Sequence, residues 1–178
     1  MKKAVMAAAL SVLLAAGAAN ATGVGVGVYG GLSYPIIQQD VESGSMYGAR
    51  VPVTLSSIVT LEPFYASSSL GDVNETLNGI SYTRSGFDQT AYGANVLFGN
   101  IGGPGFHFYP YAGLGKYKLE RTGTDINEMG YNFGLGFGIG VAPKISLQVR
   151  GELEMVKIED TSRKFGNVTG GVSYSFMP

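Results

Sequence analysis

Asn167-Val-Thr-Gly-Gly-Val-Ser-Tyr-Ser-Phe176 is the stretch that decides the fold. Val168, Gly170, Val172, Tyr174 and Phe176 fall on one side, and Asn167, Thr169, Gly171, Ser173 and Ser175 on the other. A period of two is that of an extended strand with one apolar and one polar face. The same alternation runs backwards through the chain. Tyr131, Phe133, Leu135, Phe137, Ile139 and Val141 alternate with Asn132 and glycines. Ile145, Leu147, Val149, Leu153 and Met155 alternate with Ser146, Gln148, Arg150, Glu152 and Glu154. Near the start, Val24, Val26, Val28, Gly30 and Leu32 alternate with Gly25, Gly27, Tyr29 and Gly31.

Eight such segments can be placed, at about 23–34, 47–54, 58–66, 90–98, 106–118, 129–141, 144–157 and 167–176. Their connectors alternate between long and short. Residues 35–46, 67–89, the charged stretch around Glu120, Arg121 and Asp125, and 159–164 are long or charged. Leu55-Ser56-Ser57, the glycine-rich 99–105 and Ala142-Pro143 are short. No segment after the N-terminus supplies the run of about 18 apolar residues that a transmembrane helix needs. Residence in a lipid bilayer therefore requires a closed barrel, which leaves no backbone group unpaired. Eight antiparallel strands with short turns at one end and long loops at the other fit the outer-membrane plan, with the short turns periplasmic. The expected fold is all-β: an eight-stranded antiparallel up-and-down transmembrane β-barrel, reached after a cleaved signal peptide.

The leader is read from Lys2 and Lys3, the apolar Ala4–Ala19 core and the small residues of Ala19-Asn20-Ala21 before Thr22. This predicts residues 1–21 as a signal peptide and 22–178 as a single barrel domain. The chain has no cysteine, so neither disulfides nor thiolate chemistry are available. Its net charge is −1, or −3 without Lys2 and Lys3, which argues against a nucleic-acid partner. Asp72, Asn74 and Thr76 alternate like calcium ligands, but the glycine and terminal glutamate of a calcium loop are missing. No metal or cofactor is implied.

Some features sit awkwardly. Pro52, Pro63 and Pro110 fall inside predicted strands, where a closed barrel has no edge to receive them. There is no tryptophan for the interfacial girdles, leaving Tyr29, Tyr34, Tyr47, Tyr65, Phe98, Phe108, Tyr131, Tyr174 and Phe176 to fill them. The fifth strand reads both ways: either Phe108, Pro110, Ala112 and Leu114 meet lipid, or Tyr109, Tyr111 and Tyr117 do.

In Gly23–Tyr34, Pro110-Tyr-Ala-Gly-Leu-Gly-Lys-Tyr117 and Gly170-Gly-Val-Ser-Tyr-Ser-Phe176 the chain resembles the OmpA/OmpX-like family of eight-stranded outer-membrane barrels. The resemblance implies outer-membrane lipid as the surroundings. It also implies recognition of the final strand, through its aromatic end at Phe176, by the barrel assembly machinery. The sequence shows no peptidoglycan-binding domain after the barrel, so tethering to the wall is not implied. Some barrels of this kind modify lipid A with a histidine, a serine and a carboxylate. His107, the only histidine, follows the short 99–105 turn and has no serine two residues away. It is read as a rim or lumen histidine, and the chain as not an enzyme.

Two sets of residues remain as candidate sites. Arg50, Glu62, Arg150, Glu152 and Glu154 lie on predicted inner faces. If the turn centres on Ser56, Arg50 and Glu62 face each other directly. Unpaired charge is costly in a water-poor lumen, so arginine–carboxylate pairing is expected to plug the barrel. Lys116, Lys118, Arg121, Lys157, Arg163 and Lys164 gather near the outer rim, where long basic side chains can snorkel and meet lipopolysaccharide phosphates. The function these features point to is non-enzymatic: a membrane scaffold serving envelope integrity or surface contact through its extracellular loops. The alternatives are a narrow gated channel, a lipid A-modifying enzyme, and a soluble exported ligand-binding barrel with every facing inverted.

Overall fold

A computed structural model describes residues 23–36, 41–77, 80–99, 101, 104–121, 124–158 and 161–176. The predicted leader and its cleavage site lie outside the described residues. The strands are β1 (Gly23–Pro35), β2 (Gly44–Arg50), β3 (Val53–Ser56), β4 (Val59–Leu70), β5 (Val73–Leu77), β6 (Ile80–Arg84), β7 (Phe87–Phe98), β8 (Gly105–Arg121), β9 (Thr124–Ala142), β10 (Ile145–Ile158) and β11 (Thr161–Ser175). β2 and β3 are two parts of one stave, since both pair with β1 on one side and β4 on the other. Each stave pairs antiparallel with its sequence neighbours, and β11 pairs back onto β1. The result is a closed eight-stranded antiparallel barrel.

The register fixes its geometry. From Tyr29, partners run through Gly48, Ala66 and Ala91 to Tyr117 on β8. In the other direction they run through Gly171, Gln148 and Gly138 to His107 on the same strand. The circuit thus closes with a stagger of ten residues, which for eight strands demands a tilt of about 40° from the barrel axis.

Alternation sets the facings. Leu135, Phe137, Ile139, Leu147, Val149 and Val172 are exposed on the outer surface, while Asn132, Gln148, Arg150 and Thr169 are buried inside. This rules out the soluble barrel, whose apolar face would line a cavity. It also settles the fifth strand: Phe108 and Leu114 point outward, and Tyr109, Tyr111 and Tyr117 point in. Tyr29, expected in the girdle, instead faces the lumen, where its ring lies under Arg50.

Glycine makes room for these inward tyrosines. Tyr109 pairs with Gly136 and Tyr111 with Gly134 across the β8–β9 ladder. A Cβ on Gly136 would fall 2.1 Å from the Tyr109 ring, and one on Gly134 2.7 Å from that of Tyr111. Tyr29 covers Gly48 on β2 in the same way, at 2.5 Å. Aromatic rings lying over cross-strand glycines satisfy both the packing and the curvature of a small barrel.

The strands run further than the sequence expectation at the long-connector end: Glu120, Arg121 and Asp125, expected in a loop, lie in β8 and β9, and residues 161–164, expected in another, open β11. The predicted loop at 67–89 contains the end of β4, the separate β5–β6 hairpin and the start of β7. The turn after β3 falls at Ser57-Ile58, one step later than expected, with a register shift between Thr54 and Ser56. Pro52 occupies the β2–β3 break, where its carbonyl still accepts the Gly25 N–H at 2.9 Å. The Pro63 carbonyl accepts the Val51 N–H at 2.9 Å, so the missing Pro63 N–H faces that same break. Pro110 stands within β8 opposite Leu135 with its ring on the outer face, one residue beyond the Leu97–Tyr111 end of the β7–β8 ladder.

Candidate functional site

The lumen is filled in two layers. The middle of the barrel holds the charges. Arg150 on β10 donates from Nη1 to Glu62 Oε1 at 2.6 Å and from Nη2 to Glu62 Oε2 at 2.8 Å. Both side chains are buried, at 5% and 1% exposure. The guanidinium also donates from Nε to the Tyr109 hydroxyl at 3.1 Å and from Nη2 to Gln148 Oε1 at 3.1 Å. The rings of Tyr109 and Tyr111 lie 5.1 Å from its centre. Arg150 is thus held by a bidentate carboxylate, two neutral acceptors and two aromatic faces, the arrangement that stabilises a buried charge.

The other carboxylates are held by amides. Glu152 accepts from Asn132 Nδ2 at 2.8 Å and from Asn167 Nδ2 at 3.3 Å. Glu154 accepts from Gln89 Nε2 at 2.8 Å. Asn132 also donates to Asn95 Oδ1 at 3.0 Å, linking this group to Glu62 through Asn95.

Arg50 departs from the expectation. It pairs with Phe64, not Glu62, because the turn centres one residue later than Ser56. It shares the inner face with Glu62 as a diagonal neighbour but makes no ion pair with it. Its guanidinium lies 4.9 Å from the Tyr29 ring, and its buried Nε and Nη2 have no hydrogen-bond partner. A cavity of about 20 Å³ adjoins it, bounded by Glu62, Glu152, Thr169, Met46 and Ala66 among others. That volume admits a water molecule, and such a molecule would satisfy the orphaned donors.

Above this layer the alternation inverts. Lys116, Lys118 and Glu120 follow Leu114 on the outer face of β8, while Tyr117 and Leu119 are buried inside. Leu70, Phe87, Val156 and Phe165 join them in an apolar cluster. Phe87 and Phe165 pack edge to face at 5.8 Å. Val41, from the first connector, completes the cluster. Sequence reasoning missed this cap because it left the facing of the fifth strand open and took the apolar face of the others as the lipid face from end to end. The signal was present where lysines replace leucine on the outer face of β8.

The basic residues divide. Lys116 and Lys118 are on β8, Lys157 on β10 and Lys164 on β11. Lys118 is paired with Glu120 and, at 3.8 Å, with Asp125. Its hydrogen bond to Glu120 raises its pKa above the usual ammonium range. Arg163 turns inward, over the Phe87 ring at 5.1 Å. Arg121 lies at the upper end of β8. His107 is buried on the inner face near the short-turn end of β8. Among the described residues no cluster of side chains could hold a metal ion.

This inside-out barrel matches, over residues 5–176, the profile of the outer membrane protein beta-barrel domain. The chain belongs to that family. It is an outer-membrane protein. No curated protein sequence matches it. Among solved structures it is similar to the N-terminal β-barrel domain of Pseudomonas aeruginosa OprF, at 16% identity and a TM-score of 0.59 over 88% of this chain and 98% of that one. It is also similar to Neisserial surface protein A, at 12% identity and 0.62, covering 86% and 96%. OprG from Pseudomonas aeruginosa aligns at 13% identity and 0.55, covering 89% and 98%. At these identities the likeness is one of fold, and function has to be argued from the site.

Proposed function

We propose that this outer-membrane barrel is a non-enzymatic scaffold with a closed lumen, matured by removal of residues 1–21 and acting through its extracellular connectors. The observation that carries the reading is the middle layer, where Arg150 is fully engaged with Glu62, Tyr109 and Gln148. A conducting pore would keep such groups in water. Connectors on a rigid frame are where partner specificity resides, and the one between β4 and β7 carries a two-stranded sheet of its own, the β5–β6 hairpin. Outward-facing Lys116, Lys157 and Lys164 at the upper end of the lipid belt suit lipopolysaccharide phosphates. The aromatic end of β11 at Phe176 suits capture by the barrel assembly machinery. Purified barrel in planar bilayers should give no discrete current steps, and deletion of the gene should sensitise the envelope to detergent. Steady conductance by the unaltered protein would sink the reading.

The second reading, a narrow gated channel, is favoured by one observation, the cavity beside Arg50. It would be supported by conductance that rises when Glu62 or Arg150 is neutralised.

A further inference from the structure

We infer that the barrel carries two seals in series, and that the apolar cap above the charged layer keeps the lumen shut when the Glu62–Arg150 pair is broken. The inference deepens the closed-lumen reading above and rests on it. The two layers share no residue. The charged layer is built from Arg150, Glu62, Tyr109 and their amide neighbours. The cap is built from Leu70, Phe87, Leu119, Val156 and Phe165, higher on β4, β7, β8, β10 and β11, with Val41 brought in by a connector.

The cavity beside Arg50 has Met46 and Ala66 among its walls, and both belong to the cap. The cap is therefore the roof over whatever water the charged layer admits. From Ala66 to Leu70 on β4, and from Ala91 to Phe87 on β7, it spans four residue steps of tilted strand, with the buried polar Ser68 and Gln89 between its two apolar levels. That corresponds to about 10 Å of barrel axis. The upper level of the cap, formed by Leu70, Phe87, Leu119, Val156 and Phe165 with the Arg163 guanidinium over the Phe87 ring, is the constriction, and apolar constrictions exclude water and ions by dewetting. Loss of the ion pair below leaves the cap's own contacts, including the edge-to-face Phe87–Phe165 pair, in place. An ion would have to cross both layers, and either alone stops it.

The test is conductance in planar bilayers of four proteins: the unaltered barrel, E62Q/R150Q, F87S/F165S, and the combination. Heat-modifiable gel mobility confirms that each has folded. The series arrangement predicts silence from the first three and discrete current steps from the fourth. Steps from E62Q/R150Q alone would overturn the cap as a seal, while leaving the unaltered barrel closed as proposed. Steps from F87S/F165S alone would overturn the series arrangement, as would silence from a folded combined variant. Steps from the unaltered protein would instead overturn the closed-lumen reading. If F87S/F165S does not reach the heat-modifiable form, Val41→Asp puts a charge into the same cap from a connector outside the strand ladder, and it replaces that variant in the same comparison.

Discussion

Arg150 and Glu62 lie 88 residues apart in the chain and meet through two parallel hydrogen bonds across the lumen. Their strands, β10 and β4, stand four staves apart in either direction around the eight, so the pair spans the barrel from wall to wall. A contact between neighbouring strands would only reinforce the ladder. This one ties together walls that no backbone hydrogen bond connects.

Removing either partner should therefore be costly. Arg150→Met or Glu62→Gln leaves the other charge, or its hydrogen-bonding capacity, buried without its match, and each should destabilise the barrel by about 3–5 kcal/mol. The double variant should lose less than the sum of the two. Urea titration in lipid vesicles, run as a double-mutant cycle, checks this. Additive losses would show that the two residues are not coupled.

Arg50 should behave differently although it is equally buried, at 3% exposure against 4% for Arg150. It has no carboxylate partner, and Nε and Nη2 are unmatched. Arg50→Met forfeits the contact with the Tyr29 ring but also relieves the cost of burying an unpaired cation. The net change should be below about 1 kcal/mol in the same titration. A loss as large as that of Arg150→Met would mean that Arg50 has a partner of equal strength.

The glycines should divide by facing. Gly136→Ala drives a Cβ to 2.1 Å from the Tyr109 ring, whereas Gly170→Ala on the outer face meets nothing within 4 Å. The first should cost about 1–3 kcal/mol through overpacking. The second should be neutral or slightly stabilising, since alanine narrows the unfolded ensemble. Equal effects on thermal unfolding would remove the role assigned to the tyrosine–glycine pairs.

The same contrast explains what was legible in the chain. Strand number, antiparallel order and the inner position of Arg150, Glu152 and Glu154 follow from a period of two, because lipid outside and a polar lumen inside impose it. Three things did not follow. The Glu62–Arg150 partnership depends on closure and stagger, which bring β4 opposite β10 and leave no local trace. The Arg50–Glu62 register turned on where a turn falls between Ser56 and Ile58, and one residue moves every pairing. The cap was hidden because the surroundings change from lipid to water partway along each long strand. Leu114 and Lys116 are both outer-face residues, and only the change between them records it.

Sidedness offers the last prediction, and the absence of cysteine makes it clean to test. Asn127 is exposed near the upper end of β9, and Ser57 is exposed in the turn between β3 and β4. Long connectors of outer-membrane barrels face outward and short turns face the periplasm. Asn127→Cys should thus react with a membrane-impermeant maleimide on intact cells, and Ser57→Cys only after the outer membrane is opened. Both positions lie outside the packed lumen, so neither substitution should disturb folding, which heat-modifiable mobility would confirm. The reverse labelling pattern would turn the barrel over. The apolar cap would then close its periplasmic mouth, and Lys116, Lys157 and Lys164 would sit against the inner leaflet, away from lipopolysaccharide.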